Sequence, residues 1–578
     1  MFVHNFQLPK PGQFRVSIRK HVRVLLMSGA VNTLTRRVEE TIKSYEVVCS
    51  SVSVRNNEEM QDEINKFQPD IVICPFLKAR IPESIYKQKP CLILHPGIAG
   101  DRGASSIDWA ILEGKHEWGV TVVEASDVFD GGHIWSTDTF RVPKGSTKSS
   151  LYNGSIADSA VRCILDSLSR YCQGIAPTPQ YSCPEITGTF RRNMKHDDRR
   201  IDWEESAEKI SAKIRMSDTS PGAIGRFRQL GGENVYRLFD AHIETGRESE
   251  LLKNLITAAQ PGQFIGQRQN AMLVKAGDDN ALWIGQMKKA SKTNTIKLPS
   301  MKILHEANRE IYLPEINEPC AYDDIQVVHD GPICYVHFDF YNGAMDKHQA
   351  ARLVQSLQLI DEMPDVKVVV LMGGERFSST GIHLCVIEHS MYKQAEAWIN
   401  INKINDVIST TVKMHNKATV AVLQGNAAAG GAMFALACDV TVAHPGVFLT
   451  PSYKSMNLFG SEYWTYFLPA RIGHTAAREL VRETTPISAM TAHNLGLVDH
   501  VISNGKEKFK QDVPELIKTL YKDGQFDDII SQKKRQRNAS WIKLIDKHRH
   551  YELSKMKENF KSREFLTSLH NFVYKIQE

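Results

Sequence analysis

Cys91-Leu-Ile-Leu-His95-Pro-Gly-Ile-Ala-Gly-Asp101-Arg-Gly-Ala-Ser-Ser-Ile-Asp108-Trp-Ala-Ile111 is the stretch from which the fold of the first third of the chain is read. A short apolar run breaks at His95-Pro96-Gly97, crosses a Gly/Ser-rich loop and enters a helix at Ile107. Such a strand–loop–helix junction presents a polar side chain at the carboxyl end of a buried strand, where open α/β sheets place their ligands. His95 is the residue so presented. A histidine that only caps the loop would leave the same pattern.

Working outward, Val22–Met27 reads as a first strand followed by a helix to about Lys43, and Val47–Val54 alternates as a strand does. Asp70–Pro75 and Leu92–Leu94 are short, unbroken apolar runs of the kind parallel sheets bury. Strands separated by helical segments predict an α/β, doubly wound sheet of Rossmann type over residues 1–190. No Gly-x-Gly-x-x-Gly follows the first strand, which argues against a dinucleotide cofactor. Ser28 closes that strand and, with Arg102 and Gly103 on the loop beside His95, is a candidate for ligand contact. The turn Asp130-Gly131-Gly132 would return a carboxylate to the same sheet edge, and a converging His and Asp make a workable proton-transfer pair. An Asp that bonds its own turn backbone would look alike.

The totals bound the rest. With 578 residues the chain exceeds a single core, and 42% hydrophobic with 24% charged residues is ordinary globular composition. A net charge of +5 is small at this length, and no basic stripe interleaved with aromatics appears, so nucleic acid is not an expected partner. Ten cysteines without a Cys-x-x-Cys pair suit reduced thiols in a cytoplasmic protein. No apolar run reaches the roughly eighteen residues of a membrane span. Residues 1–38 are basic and lack Asp and Glu, as transit peptides do, although a core strand begins within them. No metal site is expected; His383 and His389, six apart, do not share a helix face.

A second segment, 191–320, carries Arg200-Ile-Asp-Trp203, a helix over Glu205–Met216 and Pro221-Gly-Ala223. Ala271–Lys275 and Ala281–Gly285 flank a Gly277–Asn280 turn and predict an antiparallel hairpin. Lys288–Asp324 has the composition of a linker.

The third segment, 321–578, opens with two strands around Asp330-Gly331 and a helix from about Asp346 to Glu362. Val366–Met372 and Thr419–Gln424 are buried strands ending in glycine turns, Gly373–Gly381 and Gly425–Gly431. Glycine before a helix start leaves backbone N–H groups free for an anion. Pro451–Tyr466 packs Glu462 among Tyr453, Tyr463 and Tyr466; burial would lift the Glu462 pKa into a usable acid–base range. An aromatic core with Glu462 as a helix cap fits equally well. Lys533–Arg537 reads either as a contact for phosphates or, more simply, as a solvated helix face.

Three resemblances follow from these residues. His95-Pro-Gly, Arg102-Gly103, Gly119-Val-Thr121 and Asp130-x-Gly-x-Ile134 are similar to the N10-formyltetrahydrofolate formyltransferases, which carries over His95 and Asp130 as catalytic residues. That family's usual Asn, two residues before the His, is Ile93 here. Losing an oxyanion donor typically costs about a hundred- to a thousandfold in rate, so either another donor replaces it or the acceptor is an easier nucleophile, such as a thiol. Ile201-Asp-Trp203 with Pro221-Gly-Ala223 resembles the carboxyl-terminal domain of the tRNA formyltransferases and implies a small OB-like barrel. The ordered glycine turns resemble the crotonase (enoyl-CoA hydratase/isomerase) superfamily, which would make the N–H groups of Thr380 and Gly430 an oxyanion hole for a CoA thioester. Its two hydratase glutamates correspond to Met433 and Ser452, so hydration is not expected.

The whole order, with Gly381-Ile-His-Leu384 and Gly460-Ser-Glu-Tyr-Trp-Thr-Tyr466, resembles the HypX (HoxX) hydrogenase maturation factors. That resemblance implies carbon monoxide synthesis for the nickel–iron site: a formyl group passes from N10-formyltetrahydrofolate to coenzyme A, and formyl-CoA loses CO. It makes folate and CoA the small-molecule partners, admits hydrogenase maturation proteins as protein partners, and gives Tyr453 and Glu462 the second step. A formyltransferase fused to a thioester hydrolase or isomerase, or a non-catalytic scaffold, are the competing readings.

Overall fold

The strand that ends in His95 lies inside a six-stranded sheet. The structure is a computed structural model describing residues 11, 16–19, 21–182, 186–232, 234–247, 249–291, 295–502 and 505–576. It divides into two units, Met1–Ile224 and Gly225–Glu578.

In the first unit β1 (Arg23–Ser28), β2 (Val48–Ser53), β3 (Ile71–Phe76), β4 (Cys91–His95), β5 (Glu117–Glu124) and β6 (Ile134–Arg141) are ordered β2-β1-β3-β4-β5-β6. The first four run parallel; β5 and β6 extend the sheet antiparallel. Alternate residues of β1 serve opposite cores: Val24 and Leu26 enter one cluster, Leu25 and Met27 the other. Helix α1 (Thr33–Lys43) covers the first cluster with Leu34, Val38 and Ile42 at four-residue spacing. Asn32 starts it by accepting the Thr35 N–H at 2.9 Å. Helix α2 (Asn57–Phe67) covers the opposite face with Met60 and Ile64. Each such side chain removed from water contributes about 1.5–3 kcal/mol, which is why the parallel strands read as unbroken apolar runs. Ser106–Leu112 (α3) is the helix entered from the His95 loop, and Ala157–Gln173 (α4) packs on β5 and β6.

The second unit begins with an antiparallel sheet of β7 (Tyr236–Glu244), β8 (Phe264–Arg268), β9 (Ala271–Lys275) and β10 (Ala281–Lys289), in the order β7-β10-β9-β8. The expected hairpin is β9–β10, with Met272 opposite Ile284 and Lys275 opposite Ala281. The 288–324 segment is not a plain linker. It contains a helix, Ser300–Ala307, that buries Met301, Ile303 and Leu304. Its polar average hid those three positions.

Then come β11 (Gln326–Asp330), β12 (Ile333–Phe338), β13 (Val368–Gly373), β14 (Ala418–Leu423), β15 (Val440–Ala443) and β16 (His500–Val501), neighbours in that order. All pairings after the β11–β12 hairpin are parallel. A second layer of short strands, Phe377–Ser379, Asn426–Ala428, Phe448–Thr450 and Ile487–Ser488, lies along the glycine turns. Helices α5 (Lys347–Asp361), α6 (Lys393–Val412), α7 (Gly430–Ala437), α8 (Trp464–Ile472), α9 (Gln525–Gln536) and α10 (Ala539–Asn559) complete the elements used below.

The basic run 533–537 is divided: Lys534 and Arg535 are exposed, as on a solvated helix face, whereas Lys533 and Arg537 turn inward. Lys533 is buried and reaches Asp439 Oδ2 at 2.6 Å, while Arg537 reaches Asp439 Oδ1 at 2.6 Å. Asp439 in turn accepts the Thr419 N–H at 2.8 Å. The two cations beside it hold its pKa below the ordinary carboxylate value against the cost of burial. Among the described residues no helix is long and apolar enough to cross a membrane.

Candidate active sites

In the first unit the end of β4 and the turn after it form a closed polar knot. His95 is 4% exposed and sits between two buried carboxylates. Its Nε2 is 2.9 Å from Asp101 Oδ2, and its Nδ1 is 3.4 Å from Asp130 Oδ2. Gly97 makes the approach possible: a side chain there would collide with both the His95 ring and the Asp101 carboxylate. Arg191 Nη1 stands 3.5 Å from Asp101 Oδ1, and the same guanidinium reaches Glu113 at 2.8 Å. Asp130 has a positive φ of 55°, and its Oδ2 accepts the Gly103 N–H at 3.3 Å.

The closer carboxylate therefore belongs to Asp101, a residue inside the opening stretch to which the sequence reading assigned no role. Asp101 contacts Nε2 and leaves Nδ1 facing Asp130. A Gly-flanked Asp six residues after the His was the available signal.

Arg102 and Gly103 are laced by backbone to the segment beside them: Arg102 N–H donates to Thr189 O at 3.3 Å and Arg191 N–H to Arg102 O at 2.9 Å. Ser28 is buried, its hydroxyl 3.1 Å from that of Thr35 at the start of α1. Ile93, where the formyltransferase Asn would stand, is part-buried and packs against Ala99, Val123 and Ile134.

In the second unit Glu462 and Tyr453 meet as the sequence suggested. Glu462 is 2% exposed, and its Oε2 accepts the Tyr453 hydroxyl at 2.7 Å and the Ser461 N–H at 3.1 Å. The carboxyl group lies directly over Gly430, where any side chain would collide with it. Gly430 opens α7, so its N–H has no acceptor within the helix. Gly381 faces that same N–H. Burial raises the Glu462 pKa to about 7, partly offset by the Tyr453 and Ser461 hydrogen bonds. Burial and the adjacent carboxylate hold Tyr453 protonated well above its usual value.

Thr380 does not fill the role expected of it. Its N–H donates to Gly343 O at 2.7 Å, so that amide is already engaged within the fold. Met433 is buried in the core at the position of a hydratase glutamate, and Ser452 makes a tight turn with Thr450. The carboxylate beside Gly430 instead comes from a loop in which Glu462 and Tyr463 both have left-handed backbone, φ 66° and 60°. Such non-glycine residues cost on the order of 1–3 kcal/mol each, and persist only where their surroundings over-determine them.

Residues 22–167 match the formyl transferase family, 193–297 the formyl transferase C-terminal domain, and 330–578 the enoyl-CoA hydratase/isomerase family. The hydrogenase maturation factor HoxX of Bradyrhizobium diazoefficiens is 35% identical over 565 residues, 96% of this chain and 95% of that protein. The chain belongs to the HypX/HoxX family of hydrogenase maturation factors. The crystal structure of HypX from Aquifex aeolicus in complex with tetrahydrofolic acid superposes with a TM-score of 0.87 at 34% identity, over 96% of this chain and 97% of that one. A four-substitution variant of the same HypX gives 0.86 at 35% identity. A methionyl-tRNA formyltransferase from Chromobacterium violaceum is 27% identical over 227 residues, 39% of this chain. The HypX/HoxX match thus spans both units, whereas the tRNA formyltransferase shares only part of the chain.

Proposed function

We propose that this HypX/HoxX-family chain makes carbon monoxide in two steps for hydrogenase maturation. N10-formyltetrahydrofolate and coenzyme A give tetrahydrofolate and formyl-CoA in the first unit; formyl-CoA gives CO and CoA in the second. The folate-bound relative supports the first donor, and the enoyl-CoA hydratase/isomerase match supports a CoA thioester in the second unit.

In the first step His95 Nδ1 accepts the thiol proton as sulfur attacks the formyl carbon, then returns it to N10 as the C–N bond breaks. Asp101 orients the ring, and Asp130 stabilises the imidazolium that forms between the two carboxylates. A thiol attacks without the amide donor that Ile93 replaces. Ser28, Arg102 and Gly103 remain the proposed folate contacts.

In the second step the Gly430 N–H polarises the thioester carbonyl. Ionised Glu462 removes the formyl proton; the C–H electron pair becomes the carbon lone pair of CO, the C–S pair leaves with sulfur, and the proton passes to the thiolate. Tyr453 keeps Glu462 oriented and supplies a relay hydroxyl.

The observation that carries this reading is a carboxyl group with a pKa of about 7 placed against a free helix-opening N–H, in a crotonase-like fold whose hydratase positions are Met433 and Ser452. Incubation with formyltetrahydrofolate and CoA, with CO trapped on a haem protein, tests it. Glu462→Gln should stop CO release while formyl-CoA accumulates. Formate or an isomerised acyl-CoA as sole product would remove the proposal.

A further inference from the structure

Glu552 lies on α10, separated by 89 residues from Tyr463, and is fully buried. No motif drew attention to it. Its Oε2 accepts the Tyr463 N–H at 2.8 Å; its Oε1 accepts the Thr465 N–H at 2.8 Å and the Thr465 hydroxyl at 2.6 Å. The two amides belong to the N-cap residue and the first turn of α8, where no intrahelical acceptor exists. Glu552 therefore caps that helix from another element, and does so at the residue following Glu462.

We infer that Glu552 is the positioning residue of the second site: it locks the left-handed Glu462–Tyr463 turn and so holds the Glu462 carboxyl against Gly430. The inference rests on Glu462 being the group that moves the proton. Both carboxyl oxygens act as acceptors, to three donors between them. A glutamine would turn its NH2 group toward either the Tyr463 or the Thr465 amide, whichever way it faced. Burial raises the Glu552 pKa to about 8, partly offset by the hydrogen bonds from Thr465 and Tyr463. The titratable groups facing it are Glu462, Tyr453 and Tyr463 on the turn side. On its own helix His548 lies 2.9 Å from the same Thr465 hydroxyl. From α6, Asp406 and Lys413 face α10 but are paired with Arg549 and Asp546.

The test is Glu552→Gln in the full chain, with protonation of Glu462 followed by its infrared carboxyl band, identified by its loss when Glu462→Gln is added. Loosening the burying turn lets water reach the Glu462 carboxyl and favours its ionised form. Its midpoint should fall from about 7 by about one pH unit. Turnover of supplied formyl-CoA should drop about tenfold or more with little change in KM. An unmoved midpoint in a folded variant overturns the inference. Thr465→Val, which removes one of the three donors to Glu552 together with the hydroxyl's contact to His548, should give a smaller shift of the same sign; no shift in that milder variant overturns the inference even if Glu552→Gln fails to fold. CO release that survives Glu462→Gln sinks the reaction assigned to the site but leaves the infrared result, and the positioning role, standing.

Discussion

At the scale of single residues, the proposed proton acceptors of the two sites sit in opposite surroundings. His95 is flanked by two buried carboxylates, Asp101 and Asp130. Glu462 is set by desolvation. Asp101→Asn should lower tetrahydrofolate release about ten- to a hundredfold, because the ring loses its orienting carboxylate; single-turnover kinetics on the folate absorbance would measure it. Decarbonylation of supplied formyl-CoA should be unchanged in that variant. The raised carboxyls also make a stability prediction. Unfolded Glu462 and Glu552 lose their protons near pH 4.5, whereas the folded chain keeps them to about 7 and 8. Between those values the folded state binds more protons, so the second unit loses stability as pH rises from about 4.5 to 8, by on the order of a few kcal/mol. Urea midpoints at a series of pH values should show this slope, and Glu462→Gln should flatten it.

At the scale of elements, the parallel strands were legible because burial on both faces leaves unbroken apolar runs, as in Val24–Met27 and Val368–Leu371. The β9–β10 hairpin was legible from its turn chemistry. Partnership across long separations was not. Nothing local to Lys533 or Arg537 marks them as counterions of Asp439, and nothing local to Glu552 marks it as the cap of α8. Thr380 failed for a related reason: the position was chosen by its neighbouring glycine, while the carbonyl that occupies its N–H comes from Gly343. The Asp439 cluster is a sharp test of the terminal helices. Asp439→Ala strands two cations and should destabilise the second unit by about 3–5 kcal/mol, read by calorimetry. Lys533→Met leaves the Arg537 pair intact and should cost less.

At the scale of the molecule, each unit contains its own proposed acid–base group, so the two proposed reactions should be separable by mutation. His95→Ala should abolish formyltetrahydrofolate consumption yet leave CO release from added formyl-CoA, measured on the same haem trap. Glu462→Gln should do the reverse. A variant that lost both reactions while remaining folded would contradict the division of labour between Met1–Ile224 and Gly225–Glu578.

The remote cap on Glu462 also sets an order of events during synthesis. A ribosome releases the chain from its amino end, and domains fold largely as they emerge. Every residue of the His95 knot, from β4 to Arg191, is available early. The Glu462 turn must wait for the α10 carboxylate that arrives 89 residues after Tyr463. On the proposed reading, a nascent chain would complete the His95 cluster before the Glu462 turn, and the proposed second activity would switch on only when the terminal helices have docked.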